Sequence, residues 1–261
     1  PLCYFLLFYY TFIPITSIIK KSMQCLKYST SEVKGMNDIE HVKKVYDMGF
    51  NPHKIYYHGT TSKEPFDTFK HSNGDIGFHF GTLKQATERL KDKPSEHSDI
   101  LKVHLKLHNP LRLRDISHFS TQAVKHELES HPMFQSNQHQ RQLAKIKTDD
   151  HLRSYLQNQG YDGIVYRNEK EVPEAASHIK QANLHLSNFV AATKSSPYKV
   201  SKEHQQHPEY VNYLKEMNRA AQMVDHFADD SYIVFNPNQI RKTTATFDKD
   251  RSHSGNINES N

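Results

Sequence analysis

The stretch that decides the fold reads Lys54-Ile55-Tyr56-Tyr57-His58-Gly59-Thr60-Thr61. Its β-favouring residues lead directly into a His-Gly-Thr turn, which predicts a strand that ends at His58. Gly59 has no Cβ, so a second backbone or a ligand can approach closely there. The pattern predicts a polar anchor at a sheet edge beside a pocket. An ordinary surface loop is the alternative, because histidine is common before turns.

The amino-acid composition predicts a compact core and an extensive polar surface. The chain has 261 residues, of which 36% are hydrophobic and 24% charged, enough for one domain with or without extensions. The net charge of +5 comes from dispersed Lys and Arg, so nucleic-acid binding is compatible with the sequence but not indicated by it. Cys3 and Cys25 precede the globular part and imply no disulfide framework. The scattered histidines lack the supporting ligands of a metal site, so we expect no metal.

Residues 1–22 form an apolar leader, which we leave out of the fold argument. Leu2 to Ile19 carries no charge and is long enough for a marginal membrane span. It lacks the basic segment and the cleavage site of a secretory signal. Two other interpretations compete: the sequence is a fragment, or translation starts at Met23 or Met36 and the leader is a translation artefact. Membrane contact is therefore expected only if residues 2–19 belong to the protein.

The region from residue 36 to residue 108 predicts two helices and three strands. Glycines inside the second strand allow close backbone approach, and the third strand alternates apolar and polar residues as a half-buried strand does. The predicted elements are a helix starting at Asn37 or Asp38 and ended by Gly49, the strand at His58, a strand over 76–82, a helix capped by Thr82 and ending near Lys91, and a strand over 100–107.

The second half of the chain predicts more helices and two further strands. Residues 120–158 are interpreted as two helices separated by a break at 132–138, and strands are expected over 161–166 and 231–235. Residues 171–229 have helical spacing and separate two strands that look like partners, so we interpret them as a helical insertion. The polar residues 243–261 are predicted to form a disordered tail.

The order of these motifs resembles the ADP-ribosyltransferase domains of polyvalent proteins carried by phages and conjugative elements. It is similar, more distantly, to poly-ADP-ribose polymerases and diphtheria-type toxins. The motifs are Tyr57-His58-Gly59-Thr60, Gly77-Phe78-His79-Phe80-Gly81-Thr82, Gly160-Tyr161-Asp162-Gly163-Ile164-Val165-Tyr166 with Asn168-Glu169, and Ser231-Tyr232-Ile233-Val234-Phe235. The resemblance covers residues 38–170 and 229–242, and it implies one domain over 36–242 with the insertion inside it.

The resemblance implies an α+β fold in which a split pair of small perpendicular β-sheets, with flanking helices and the helical insertion, grips NAD as co-substrate. His58 would hydrogen-bond the adenosine ribose, and the backbone of Gly59 would pair with the nicotinamide amide. Thr60 would contact a ribose, and Tyr57 lies beside them in the same motif. Nicotinamide would leave through an oxocarbenium-like state before an acceptor attacks, a reaction that depends mainly on positioning and electrostatics.

The second motif departs from the pattern of the polymerase-like families. His79 stands where those families have a tyrosine, with Gly77, Phe78 and Phe80 around it as further cofactor-binding residues. Which of these side chains faces the cleft depends on the strand register, because neighbouring residues point to opposite sides.

The third motif also departs, because Ser231 occupies the position of the catalytic glutamate. The nearest acids are Asp229, Asp230, Glu169 and Glu171. Related polyvalent sequences look similar in having Asn-Glu after the preceding strand, so Glu169 is the expected acid. Ser231 and Asp230 are the other catalytic candidates. Loss of the glutamate is also compatible with a different acceptor or with no catalysis.

The resemblance predicts an enzyme that transfers a single ADP-ribose from NAD to a protein acceptor. It would be a mobile-element or effector/toxin-type enzyme, located in the cytoplasm or delivered into a host cell. The alternative is a catalytically degenerate NAD-pocket fold that acts as a protein-interaction module through its inserted helices.

Overall fold

The computed structural model describes residues 32–91, 96–195 and 200–259, with side chains from residue 39 onward. The apolar leader 1–22 lies outside these residues. Among the residues described, no helix combines the length and the apolarity that a bilayer span requires.

Two small β-sheets form the centre of the molecule. The three-stranded sheet is antiparallel and has the order β1-β3-β7, and the four-stranded sheet has the order β2-β6-β5-β4, with β4 and β5 parallel. The strands are β1 Tyr56–Thr60, β2 Phe78–Phe80, β3 Asp99–Leu105, β4 Pro110–Leu113, β5 Gly163–Arg167, β6 Asp230–Val234 and β7 Ile240–Lys242. The predicted α+β class with two small sheets is confirmed.

Seven α-helices in the described residues flank the sheets. They are α1 Glu32–Asp47, α2 Leu83–Lys91, α3 Thr121–Ser130, α4 Asn137–Lys145, α5 Asp149–Asn158, α6 Pro173–Thr193 and α7 Pro208–Phe227. The prediction of two helices over 120–158 is wrong, because three are present. Ser136 and Thr148 each accept a hydrogen bond from a backbone N–H of the next helix, so each starts a new one.

Three helix ends near the first motif had been predicted from capping residues, and two of these predictions are confirmed. Gly49 has φ +83° directly after α1, as predicted for a helix C-terminus. Thr82 Oγ1 accepts the N–H of Gln85 at 3.2 Å and caps α2. The predicted start of α1 at Asn37 or Asp38 is wrong, because the helix already begins at Glu32.

The four-stranded sheet separates two apolar cores. Side chains alternate along a strand, so Ile233 of β6 enters the core under α3, α4 and α5, while Val234 enters the core between the two sheets. The core between the sheets also contains Phe69, Phe78 and Phe80. The second motif is therefore fixed by packing on one face of β2, which leaves its other face available to the cleft.

The region predicted as a helical insertion folds into an antiparallel hairpin of α6 and α7. Two histidine–glutamate pairs join the helices, His178 with Glu216 and His185 with Glu209, each with Nδ1 2.7 Å from Oε2. The two histidines are seven residues apart on α6 and the two glutamates are seven residues apart on α7, which is the repeat of a coiled-coil seam. Helix α6 begins directly after the loop that follows β5, so the hairpin is joined to that end of the sheet.

Residues 243–259 are folded onto the domain, and the prediction of a disordered tail is wrong for them. Glu259 forms an ion pair with Arg241 of β7, with Oε1 2.6 Å from Nε and both side chains fully buried. Phe247 packs in a cluster with Val45 and Phe50. The segment was misjudged because its buried contacts depend on a few widely spaced residues within an otherwise polar sequence.

Candidate active site

Strands β1 and β2 meet at one residue pair and then separate. Tyr57 and Gly81 exchange two backbone hydrogen bonds, of 2.9 and 3.0 Å. An antiparallel continuation would bring Gly59 opposite His79, but the His79 carbonyl accepts a hydrogen bond from His58 Nδ1 at 2.7 Å instead. Backbone groups alternate along a strand, so the N–H and C=O of Gly59 point to the same side as those of Tyr57, into the gap.

The His58 side chain is held in one tautomer. Its partner is a carbonyl oxygen, which only accepts, so Nδ1 carries the hydrogen and the neutral ring presents Nε2 as an acceptor. The ring packs against Phe69 and Phe80 at centroid distances of 5.0 and 5.4 Å. Burial lowers the pKa of His58, so the imidazole is neutral at neutral pH. Nε2 can therefore accept a hydrogen bond from a ligand hydroxyl.

Gly59 is required for packing as well as for access. A Cβ at this position would lie 2.9 Å from the carbonyl oxygen of Ala86 and 3.0 Å from Leu90 Cγ, because helix α2 rests directly on β1. Thr60 does not line the cleft, and its Oγ1 accepts the N–H of Ser62 at 3.2 Å in the following turn.

A cleft of about 450 Å³ opens at the gap between β1 and β2. It brings together seven of the eight residues predicted to bind the cofactor and one of the three predicted catalytic residues. These are Tyr57, His58, Gly59, Gly77, Phe78, His79, Phe80 and Ser231. Arg89 of α2 and Lys70 lie on its rim, where they offer positive charge to an anionic group.

The register of β2 determines which side chains of the second motif pack between the sheets and which lie on the opposite face. Phe78 and Phe80 are buried between the sheets, and His79 points to the opposite face. Its Nε2 lies 2.9 Å from Asp75 Oδ1. His79 pairs with Ile233, so it shares a sheet face with Ser231, two residues away on β6.

Glu171, on the loop after β5, lines the cleft and is joined to Ser231 through Asn168. Asn168 Nδ2 donates to Glu171 Oε2 at 2.5 Å and to Ser231 Oγ at 3.0 Å. Asn168 Oδ1 accepts the N–H of Glu171 at 3.0 Å, which closes a turn of the kind that asparagine favours. Asn168 is only 3% exposed, so it holds the carboxylate and the hydroxyl at a fixed separation.

The surroundings of Glu171 affect the pKa of its carboxyl in opposite directions. Burial raises the pKa of Glu171, while the hydrogen bond from Asn168 and the nearby Arg89, whose Nη1 lies 3.9 Å from Oε1, oppose the rise. Tyr166 stands opposite Ser231 across the strand pair. Burial raises the pKa of Tyr166 far above its ordinary value, so its hydroxyl stays protonated and can donate.

Two of the predicted catalytic residues lie away from the cleft. Glu169 is exposed, and its backbone N–H donates to Asp115 Oδ2 at 3.1 Å. Asp230 pairs with Arg112 through two hydrogen bonds, of 2.9 and 2.6 Å, and lines a different pocket. The sequence contained a signal for Glu171, because an acid three residues after an asparagine is typical of a side-chain-capped turn.

Within the described residues, no group of three or more His, Cys, Asp or Glu side chains could hold a metal ion. The cleft offers instead the neutral imidazole of His58, the backbone N–H and C=O of Gly59, the partly buried carboxylate of Glu171 and the basic side chains of Arg89 and Lys70. Such a set can bind a polar anionic ligand and stabilise positive charge as it develops within that ligand.

Comparison with protein-family models matches residues 51–248 to the family described as ADP-ribosyltransferase in polyvalent proteins. Comparisons with curated proteins and with solved structures return no significant match. The family match covers well over half of the chain and contains all seven strands and the cleft. It confirms the family that the sequence motifs predicted, whose members use NAD as their substrate. The chain belongs to the family of ADP-ribosyltransferases in polyvalent proteins.

Proposed function

We propose that this protein transfers a single ADP-ribose from NAD to a protein acceptor, with Glu171 as the catalytic carboxylate. The observation that carries the proposal is the bridge made by Asn168, which donates to both Glu171 and Ser231. Ser231 occupies the position where distantly related enzymes keep their glutamate. The bridge therefore supports Glu171, from the loop after the neighbouring strand β5, as the carboxylate that the reaction needs.

The cleft fits NAD at three points. The N–H and C=O of Gly59 face the gap and match the acceptor and donor of the nicotinamide carboxamide. His58 Nε2 can accept from a ribose hydroxyl. Arg89 and Lys70 at the rim can neutralise the diphosphate. Tyr57, Gly77, Phe78 and Phe80 complete the walls, while Thr60 supports the turn.

Glu171 would stabilise developing positive charge electrostatically and would not form a covalent bond with the substrate. As the bond between the ribose C1′ and nicotinamide breaks, its electron pair goes to the nicotinamide nitrogen and positive charge develops on the ribose. The ionised Glu171 stabilises that charge, and Asn168 keeps the carboxylate in place while it does so. The raised pKa of Glu171 reflects a partly water-excluded site, in which such an interaction is strong.

The biological setting is proposed from the family. Its description places these transferases in polyvalent proteins, which supports a mobile-element or effector/toxin-type enzyme that works in the cytoplasm or in a host cell. A protein acceptor is favoured over nucleic acid because the basic residues of the chain are dispersed rather than arranged as a stripe.

A catalytically degenerate interaction module is the second candidate, and the α6–α7 hairpin favours it. Leu184, Val211 and Leu214 are 54%, 45% and 47% exposed on these helices, which is unusual for large apolar side chains and gives a partner something to contact. NAD binding without turnover would support this function over the enzymatic one.

The His58→Ala variant is expected to abolish label transfer from radiolabelled NAD to the proteins of a cell lysate. Loss of the Nε2 acceptor also weakens NAD binding by roughly 10-fold or more, measured by calorimetry, because the ligand hydroxyl loses its partner. His126→Ala, at a histidine exposed on α3, is the matched control. If the unmodified protein neither binds NAD, nor hydrolyses it, nor transfers label, the proposed function is wrong.

The rate of nicotinamide release is expected to fall as the pH is lowered. Both His58 and Glu171 must be unprotonated, burial lowers the pKa of His58 from 6.5, and burial raises the pKa of Glu171 from 4.5. The rate of nicotinamide release therefore begins to fall below neutral pH, where the group with the higher pKa becomes protonated first. Initial rates measured from about pH 8 to pH 5 check this, with circular dichroism to show that the fold persists. A rate that increases toward acid pH would contradict the assignment.

A further inference from the structure

A histidine–aspartate pair lies in the cleft and has no role in the NAD contacts described above. His79 Nε2 is 2.9 Å from Asp75 Oδ1, and the side chains are 34% and 35% exposed. Asp75 is itself fixed, because the same oxygen accepts the N–H of Gly77 at 3.3 Å. An ionised carboxylate only accepts, so Nε2 carries the hydrogen, and the neutral form of the ring has its lone pair at Nδ1. In the part of the chain that the structure describes, no hydrogen bond engages this nitrogen.

The pair stands on the same face of the sheet as the catalytic carboxylate. His79 is opposite Ile233, and Ser231 lies two residues farther along β6. From a strand spacing of about 4.8 Å and a rise of about 3.3 Å per residue, the Cα atoms of His79 and Ser231 are roughly 8 Å apart. Asn168 bonds both Glu171 and Ser231, so the carboxylate and the imidazole border the same cleft.

The His79 ring is also restricted in its movement. Phe119 packs against it at a centroid distance of 5.6 Å, on the side of the core under α3 to α5. His79 and Glu171 are close enough to interact electrostatically, because the protonated form of His79 lowers the pKa of that carboxyl. A general base needs an orienting carboxylate and an unengaged nitrogen on a restrained ring, and His79 has these in the cleft that Glu171 and Ser231 also line.

We propose that His79, oriented by Asp75, takes the proton from an acceptor hydroxyl, and that the acceptor is therefore a serine or threonine side chain. The proposal rests on the proposed transferase function and names its acceptor class. The acceptor oxygen forms a bond to ribose C1′, the bond from C1′ to nicotinamide breaks, and nicotinamide leaves with the electron pair. The hydroxyl proton passes to His79 Nδ1 and then to solvent. His79 is the base in this step, and Asp75 is a positioning residue.

The chemistry of the alternatives favours a hydroxyl. A carboxylate acceptor is already ionised at neutral pH and needs no base. A cationic amine or guanidinium would meet Lys70, Arg89 and Lys170, all of which line the cleft. A hydroxyl is neutral and loses its proton only with help, so it is the acceptor for which a neutral imidazole has a function.

The test separates NAD cleavage from transfer, and it uses the full chain. NAD is supplied with either N-acetylserinamide or N-acetylaspartamide as acceptor probe, and both nicotinamide and the ADP-ribosyl conjugate are quantified. With the unmodified protein, the serine conjugate is expected to dominate. In His79→Gln, nicotinamide release continues through hydrolysis while the serine conjugate falls by about 100-fold, the lower end of general-base effects. Asp75→Asn lowers the conjugate with unchanged NAD affinity, and His126→Gln leaves both products unchanged.

Each other outcome counts against the assignment. A preference for the aspartate probe, or release of nicotinamide with no serine conjugate, overturns the acceptor class. An equal fall of release and conjugate in His79→Gln, or a loss of NAD affinity that accounts for both, means that His79 positions NAD instead. If the unmodified protein releases no nicotinamide at all, the proposed transferase function has failed, and this assignment fails with it.

Discussion

Glu171→Gln is expected to lower nicotinamide release by on the order of 10²- to 10³-fold, as loss of a preorganised electrostatic group does in other active sites. The glutamine keeps the size of the side chain and an oxygen that Asn168 can still bond, so the change removes charge with little disturbance of the loop. Chromatographic measurement of nicotinamide under saturating NAD gives the rate. NAD affinity should change much less, because the charge that Glu171 stabilises develops only during bond breaking.

Two companion variants make the assignment of the acid decisive. In Glu171→Gln combined with Ser231→Glu, part of the lost rate should return, because the new carboxylate starts from the strand position that distant relatives use. Glu169→Gln distinguishes the two candidate acids of the loop, since Glu169 is exposed and outside the cleft. A large loss in Glu169→Gln, with Glu171→Gln near the original rate, would reverse the assignment.

Glu259→Ala is expected to destabilise the fold by about 3–5 kcal/mol, the usual cost of leaving one member of a buried ion pair unpaired. Arg241 and Glu259 are both fully buried, and Arg241 also donates to the carbonyls of Ser254 and Ile240, so its charge cannot move to solvent without breaking these bonds. Urea unfolding followed by circular dichroism gives the free energy of unfolding. A loss of this size is comparable to much of the stability of a typical domain.

The double variant Arg241→Met with Glu259→Leu should recover most of that stability, because two apolar side chains of similar size avoid the burial of charge. Glu40→Ala is the surface control, since its pair with Lys44 is exposed and should contribute little. If Glu259→Ala unfolds at the same urea concentration as the unmodified protein, residues 243–259 do not stabilise the domain as the structure implies.

The sequence predicted five of the seven strands in the described residues and missed the short strands β4 and β7. Strand β3 alternates apolar and polar residues, and β6 is a short apolar run before Asn236-Pro237, so each carries its own local signal. The boundaries of α4 and α5 depend instead on Ser136 and Thr148, two caps that look like ordinary polar residues. The Glu259 pair has no local pattern, because its partner is 18 residues away and both charges would be expected on the surface.

The residues of the site could be predicted where the backbone conformation restricts the residue type. They were harder to predict where the direction of a side chain decides whether it lines the cleft. His58 and Gly59 were identified from the His-Gly-Thr pattern. The predicted strand end at His58 is wrong, because β1 continues to Thr60 and both residues lie within it. The role of His79 required the register of β2, which the sequence does not specify. Glu171 lines the cleft and the predicted acid Glu169 does not, a difference of two residues along a loop that cannot be seen without the hydrogen bonds of Asn168.

The bridge made by Asn168 has a consequence for how catalytic residues change during evolution. The ends of β5 and β6 are neighbours in one sheet, at a spacing of about 4.8 Å, so a side chain from either can reach the same point. With the proposed role of Glu171, a lineage can gain an acid after β5 before it loses the one on β6, with no inactive intermediate. On that proposal, a serine on β6 does not by itself indicate an inactive enzyme, and both strands should be inspected together.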